Sequence, residues 1–260
     1  MDERIHIRVE ASNVVGSGIS DPGLERGDNE DSISLDESGV YMLLADGMGG
    51  HERGAEASKT ALEVIKEFLT PEVIFSELPD ITSGGGIPSE IACLLSLVDQ
   101  AVNKANSKLY RRNVEAKLHR YMGTTVVGLV MVKDYVLWFH VGDSRLYRWR
   151  NSILECLTTD HSAYFEWVRK GKSGVKPAKN IITRAVGPNA AVSAACDWDN
   201  RQKNDIYILC SDGLTDMISE GQIVDILTLE KDVDAVSIRL IDTANDAGGK
   251  DNVSVIVCKL

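Results

Sequence analysis

An apolar run that ends in an aspartate and a glycine-rich turn stands at Val40–His51, V-Y-M-L-L-A-D-G-M-G-G-H. The run reads as a buried strand, and the glycines let the backbone turn sharply and approach a ligand closely. The same pattern places Asp143 in V-G-D-S-R, Asp212 in C-S-D-G-L and Asp251 in G-K-D-N-V. Another acidic group, R-G-D-N-E-D, lies upstream at Arg26–Asp31. A buried carboxylate must be paired, protonated or bound to a cation. Carboxylates gathered from remote strand ends repel one another unless a hard cation lies between them. The chain must therefore fold so that distant strand ends meet, and the pattern points to a divalent metal site there.

The bulk composition narrows the partners. A chain of 260 residues with net charge −11 is a poor match for nucleic acid or an anionic membrane surface. The N-terminal residues show no signal-peptide core, and no stretch approaches the ~20 apolar residues of a membrane span. A cytoplasmic protein is expected. The five cysteines, Cys93, Cys156, Cys196, Cys210 and Cys258, are widely spaced and form no C-x-x-C pair. Buried free thiols in a reducing compartment follow from that usage. Gln202 stands where a C-x5-R loop starting at Cys196 would need arginine, which excludes a thiolate phosphatase built there.

Along the chain, Arg8–Val15 and Val40–Ala45 read as strands. A helix is expected at Arg53–Leu69, where Ala57, Ala61, Ile65 and Phe68 recur at helical spacing, with Pro71 just past its end. Residues 70–89 contain three consecutive glycines and two further prolines and read as a flexible connection. A long helix at 89–112 follows, with Ser89 as its N-cap. Gly123–Val132 with Tyr135–Val141, and Arg145–Arg150 with Ser152–Leu157, read as hairpins. Ile206–Cys210 is a strand. Glu220–Leu229 and Asp234–Ala247 are helices, the second closed by Gly248-Gly249, and Val253–Cys258 is the last strand. Strand clusters with paired helices between them predict one sheet-on-sheet sandwich covered outside by helices.

Mg²⁺ and Mn²⁺ prefer hard oxygen ligands and keep several waters, so few protein carboxylates are needed. Two such ions can clamp the attacking and leaving oxygens of an in-line displacement. Asp28–Asp31 is not a calcium loop of the EF-hand type, since position 33 is Ile. Arg26, close by in sequence, offers a planar fork suited to phosphate.

Taken in order, these motifs resemble the metal-dependent protein phosphatases of the type 2C family in their compact bacterial form. The resemblance runs from S-D-P-G-L-E-R-G-D-N-E-D (Ser20–Asp31) to D-N-V-S-V-I (Asp251–Ile256). Between them lie D-G-M-G-G-H, G-T-T (Gly123–Thr125), V-G-D-S-R-L-Y, D-H-S (Asp160–Ser162), N-I-I-T-R-A-V-G (Asn180–Gly187) and S-D-G-L-T-D. The resemblance implies an α+β fold, a four-layer α-β-β-α sandwich of two mostly antiparallel sheets flanked by helix pairs, as one catalytic domain over 1–260. It implies two to three Mn²⁺ or Mg²⁺ ions. Asp46 would bridge two of them, helped by the Gly47 carbonyl, and Asp212 and Asp251 would bind one. Glu30 and Asp31 would act through water, and Asp143 with Asp212 would frame a weaker third site. Arg26 would grip the substrate phosphate, and a water or hydroxide bridging the metals would attack without a covalent intermediate. Phosphoserine and phosphothreonine in proteins would be the substrates, opposing a cognate serine/threonine kinase, with the phosphatase a monomer.

The chain departs from the family pattern in two places. Met48 stands where eukaryotic members often carry a histidine proposed as general acid, and methionine donates no proton. His51 then reads as a helix-start or surface histidine and His161 as a structural one, leaving a metal-bound water as the proton source. The second departure is at 161–179, the place of the family's mobile flap. That segment is short and carries five positive charges against Glu166, which suits the capture of acidic phosphopeptides. A pseudophosphatase binding module would be expected to lack metal ligands, and Asp46, Gly47, Asp212 and Asp251 are all present. A two-metal nuclease fits poorly with the net charge and the lack of a basic–aromatic stripe.

Overall fold

The structure is a computed structural model that describes residues 4–11, 13–49, 53–78, 87–178 and 180–260. In chain order the elements are β1 (Ile5–Ala11), β2 (Val14–Asp21), β3 (Asp31–Leu35), β4 (Tyr41–Met48), α1 (Arg53–Phe68), α2 (Pro71–Glu77) and α3 (Ser89–Glu115). Then come β5 (Gly123–Thr124), β6 (Val126–Val132), β7 (Tyr135–Val141), β8 (Arg145–Arg150), β9 (Ile153–Cys156), α4 (Ala163–Arg169) and β10 (Ala195–Asn200). The chain closes with β11 (Ile206–Cys210), α5 (Asp212–Thr215), α6 (Glu220–Leu229), α7 (Val233–Asp246) and β12 (Val253–Lys259).

One sheet has the order β1-β2-β12-β11-β8-β9 and the other β10-β7-β6-β4-β3, with β5 paired to β4. The strand pairings are antiparallel throughout. Side chains alternate between the two faces of a strand, so one strand feeds two cores. Met42 and Leu44 of β4 meet Tyr207, Leu209 and Ile256 between the sheets. Leu43, Val130 and Phe139 face α1 and α3 through Ala57, Ile65 and Leu94. Ile19, Ile208 and Val255 face α6 and α7 through Ile223, Leu240 and Ile241. The result is the expected four layers.

Registers gather the acidic turns at one end. Val126 pairs Val141, Cys210 pairs Val255, and Val253 pairs Asp21, while Asp31 pairs Asp46. Every turn carrying a candidate carboxylate leaves the sandwich on that side.

Several local expectations need correction. The single strand at 8–15 is a hairpin, because the chain reverses between Ala11 and Val14. Its second arm, β2, needs glycine where the two sheets close on each other. A Cβ at Gly16 would lie 2.9 Å from Met42 Cε, and one at Gly18 2.7 Å from Leu35 Cδ1. The connection at 70–89 contains α2, started by Pro71 and by Thr70, whose hydroxyl accepts from the Val73 N–H. Residues 79–86, with the three glycines, lie outside the described set. Ser89 is the first residue of α3 rather than its cap; Pro88 holds that place without a side-chain bond. Strands β3 and β10 were not expected, because D-S-I-S-L and A-C-D-W-D-N carry too many polar residues to read as buried runs. Of the cysteines, Cys210 and Cys258 are buried, while Cys156 and Cys196 are exposed; all five are free thiols.

Phe139 fills the space that Gly128 leaves open, since a Cβ there would sit 2.3 Å from the ring. Gly128→Ala should therefore destabilise the fold by about 1–3 kcal/mol through overpacking. Urea midpoints will test this, and Phe139→Leu in the same chain should recover part of the loss.

Candidate metal centre

The site is assembled from five strand ends. Asp31 opens β3 directly opposite Asp46 on β4. The Asp46 backbone is fixed on its other side, its N–H donating to Thr125 Oγ1 at 3.0 Å and its carbonyl accepting from Thr124 Oγ1 at 2.8 Å. Gly47 follows in a cramped position: a Cβ would meet the Gly54 carbonyl oxygen at 2.1 Å and that of Glu30 at 2.5 Å. Only glycine fits where β4 passes between α1 and the Glu30 turn. The Glu30 carboxylate accepts from the Gly54 N–H at 3.2 Å, at the start of α1, where free N–H groups favour an anion.

Asp143 lies in the turn after β7 and is 7% exposed. Gly142, at φ +108°, packs against Thr125 there. Asp212 begins α5, and Gly213 beside it packs so closely on Asn252 that a Cβ would lie 2.0 Å from the carbonyl oxygen. Asp251 precedes β12 and is half exposed. The Arg26 Nη2 donates to its Oδ2 at 2.7 Å. The residue proposed to hold phosphate thus rests on one of the residues proposed to hold metal.

Asn252 is a site residue that sequence reasoning missed. Its Nδ2 donates to the Pro22 and Asp28 carbonyls, each at 2.9 Å, and its Oδ1 accepts from the Glu30 N–H at 2.8 Å. This side chain clamps the Arg26–Asp31 loop beside Asp251. The signal was the Asn that follows Asp251, since Asn readily bonds loop backbone.

The electrostatics are those of uncompensated carboxylates. Both Asp31 oxygens are buried without a hydrogen-bond partner, as is Asp143 Oδ1. Ser211 and Ser254 lie near enough to favour the Asp31 anion. Ser254 donates its hydroxyl proton to Ser20, and Ser211 accepts from the Ser254 N–H. Burial raises the Asp31 and Asp46 carboxyls well above the usual range, and the neighbouring aspartates add to it. Burial likewise raises Asp212, with Asp251 and Asp216 contributing. Asp143 is pushed up to about 7, by burial first and then by Asp212 and Asp160. Glu30 is raised by burial as well. A donor set made only of hard oxygens, with orphaned buried lone pairs and mutual repulsion, fits Mg²⁺ or Mn²⁺. Among the described residues no three acidic, His or Cys side chains converge closely enough to hold an ion alone.

Beside the carboxylates lies a cleft of about 190 Å³ bounded by Asp143, Asp212, Asp216, Tyr164 and Phe165. Residues 161–179 hold α4, capped by the Ser162 hydroxyl, which accepts from the Phe165 N–H. Arg145 anchors the base of this segment through two bonds to Asp160, at 2.9 and 2.7 Å.

A model of the protein phosphatase 2C family matches residues 17–252. The chain belongs to that family. Among its type 2C relatives, the "Serine/threonine phosphatase stp" of Listeria welshimeri is 34% identical, with 92% of each chain covered. The Mycobacterium tuberculosis serine/threonine phosphatase PstP/Ppp superposes with a TM-score of 0.80 at 30% identity, covering 95% of this chain and 98% of that one. A structure of the PstP catalytic domain in complex with two manganese ions gives a TM-score of 0.75 at 32% identity, covering 95% and 97%. The two-sheet sandwich is therefore shared with these two solved structures.

Of the histidines considered, His51 lies outside the described residues. His161 Nδ1 accepts from the Gly142 N–H at 3.1 Å, and its ring stacks on His140 with centroids 4.6 Å apart. Burial, with His140 and Arg184, lowers its pKa to about 4. At neutral pH it is a fixed acceptor.

The raised Asp143 gives a signed pH prediction. Between its ordinary value of 3.8 and about 7, the folded state binds more protons at this group than the unfolded state. Its contribution to stability therefore falls as pH rises through that window and is fully lost above it. In EDTA, Asp143→Asn should be more stable than the parent at pH 8, with the gap narrowing as pH falls through 7 and closing only below about 3.8. The parent-minus-variant difference removes the histidines from the comparison. A gap independent of pH in urea melts would contradict this assignment.

Proposed function

We propose that this type 2C chain is a metal-dependent serine/threonine protein phosphatase. The carrying observation is the convergence of Asp31, Asp46, Asp143, Asp212 and Asp251 at one end of the sandwich. Orphaned buried oxygens lie among them, and a half-exposed Arg26 stands at the rim. The names of the relatives support the same reaction.

In this reading Asp46, Gly47, Asp212 and Asp251 hold two Mn²⁺ or Mg²⁺ ions, Glu30 and Asp31 hold their waters, and Asp143 with Asp212 frames a weaker third site. When bound, the cations neutralise the phosphate and lower the pKa of water, so that a nucleophile exists at neutral pH. The chain's own groups orient the reaction. Arg26 presents a planar donor fork to the phosphate oxygens. Asn252 holds the Arg26 loop and the Asp251 turn in fixed relation, and Thr124 and Thr125 fix Asp46. Met48 supplies no proton to the leaving oxygen, and neither does His161, which is neutral and spent on Gly142.

Residues 1–260 act as one catalytic domain, with 161–179 as its short flap. Among the described residues no helix is long and apolar enough to cross a membrane. The proposed protein is a cytoplasmic monomer that acts on phosphorylated proteins and opposes a serine/threonine kinase. No observation favours a pseudophosphatase.

Turnover of p-nitrophenyl phosphate should require Mn²⁺ or Mg²⁺ and vanish in EDTA. Asp212→Asn should lower kcat by about 10²–10³-fold, the usual scale for losing electrostatic stabilisation of a transition state. If metal and chelator give the same rate, the proposal is wrong. For Arg26→Ala the main effect should fall on KM for the same compound.

The flap gives a separate test. Lys170 and Lys172 are exposed, and the Lys176 ammonium lies 5.6 Å from the Tyr164 ring centre. Replacing all three with glutamine should raise KM for an acidic phosphoprotein several-fold, roughly the loss expected when steering charges are removed. Turnover of p-nitrophenyl phosphate should stay unchanged. Equal effects on both substrates would exclude a steering role.

A further inference from the structure

The larger hollow of the molecule lies at the pole opposite the carboxylates. Lys133 and Asp134 turn between β6 and β7, Arg201 and Lys203 follow β10, and Lys259 ends β12. Registers place all of them away from the site: Val132 pairs Tyr135 and Ile206 pairs Lys259, whereas Val126 pairs Val141 and Cys210 pairs Val255. A strand of β12's length separates the two poles by roughly 20 Å at ~3.3 Å per residue. The hollow measures about 710 Å³. A second one of about 420 Å³ shares Val14, Lys133 and Arg201 with it, so the two hollows adjoin.

Charge distinguishes this groove from the rest of a chain with net charge −11. Lys133, Arg201, Lys203 and Lys259 line the larger part together with Asp134 and Leu260, and Glu10 lines the side hollow. Lys133 is already held by Glu90 at 3.1 Å. Among the described residues the Arg201 guanidinium bonds only carbonyls, those of Lys133 and Asn13 at 3.3 and 3.4 Å. These contacts fix its position and leave its charge uncompensated. Arg4, Arg26, Arg145 and Arg150, by contrast, each sit on a carboxylate. Among the described residues Lys203 and Lys259 make no ion pair. Ala11, Val14 and Val15 line the hollow beside Asn13 and Gln202, and Phe75, which lines the side hollow, is 55% exposed.

We propose that this groove docks an acidic, extended segment of a partner protein, remote from the catalytic end. Carboxylates of the segment would meet Arg201, Lys203 and Lys259, and an apolar residue of it would lie against the exposed Phe75. An extended strand presents successive side chains to opposite faces. A preorganised guanidinium suits a carboxylate fork. The proposal is independent of the phosphatase reading, because it concerns binding and not turnover.

The test uses a short fluorescein-labelled peptide of alternating Glu and Val, titrated with the full chain by fluorescence anisotropy. Saturable binding is expected, weakened by added salt and unaffected by Mn²⁺ or by Arg26→Ala. Lys203→Glu with Lys259→Glu should weaken it at least about tenfold, since reversing charges at a docking surface costs several-fold per contact. The same double variant should turn over p-nitrophenyl phosphate at the parent rate. Arg201→Gln, checked for an unchanged melting temperature, should weaken binding as well. Absence of saturation, or binding undiminished in the Lys203/Lys259 variant, overturns the proposal. So does complete displacement of the peptide by an equal concentration of inorganic phosphate, which would mark a small-anion site.

Discussion

Asp31 and Asp46 face each other across adjacent strands, and burial makes the charge on either one costly. Two carboxylates so placed are stable together only if protons or cations lie between them. Neighbouring features of the fold serve that arrangement. The sheets run antiparallel, so each apolar strand delivers its terminal aspartate to the same end. Glycines at positions 47 and 213 let the backbone crowd in beside the carboxylates. Thr124, Thr125 and Asn252 bond the loop backbone and so keep the acidic side chains from relaxing outwards into solvent.

The architecture also explains why the repulsion is tolerated. Three separate cores, one between the sheets and one under each helix pair, bury long apolar side chains along the whole length of the strands. On one open side of the sandwich, Arg148 and Arg150 of one sheet both bond Asp199 of the other, and Arg150 also grips Asp205 with two bonds. The unfavourable electrostatics are thus confined to one end of a body held by packing elsewhere. Functional sites commonly carry such local conflict, supported by the remainder of the fold.

The two poles differ in kind. One end collects aspartates and a single half-exposed arginine; the other collects lysines and an arginine bonded, among the described residues, only to carbonyls. Antiparallel strands bring both about, because each strand contributes one residue set to each end. The overall acidity of the chain is therefore a poor guide to its local fields.

Much of the site was legible in the sequence. An apolar run that stops at or beside an aspartate and turns on glycine identifies a strand end whether or not its neighbours are known, so Asp46, Asp143 and Asp212 stood out at once, and Asp251 did so at the entry to an apolar run. Helical spacing located α1, α3, α6 and α7 for the same reason: a single face must be apolar. Strand β3 was hidden because D-S-I-S-L is polar on the face that packs near α1, where Ser32 bonds Ser58. Asn252 was hidden because its partners, Pro22, Asp28 and Glu30, are remote in sequence. Local patterning thus decided which residues are acidic strand ends and which segments coil. Only the tertiary structure decided that Asp31 faces Asp46, that Arg26 rests on Asp251, and that lysines from two turns and the end of β12 line one hollow, since register between strands is set by contacts that no local stretch contains.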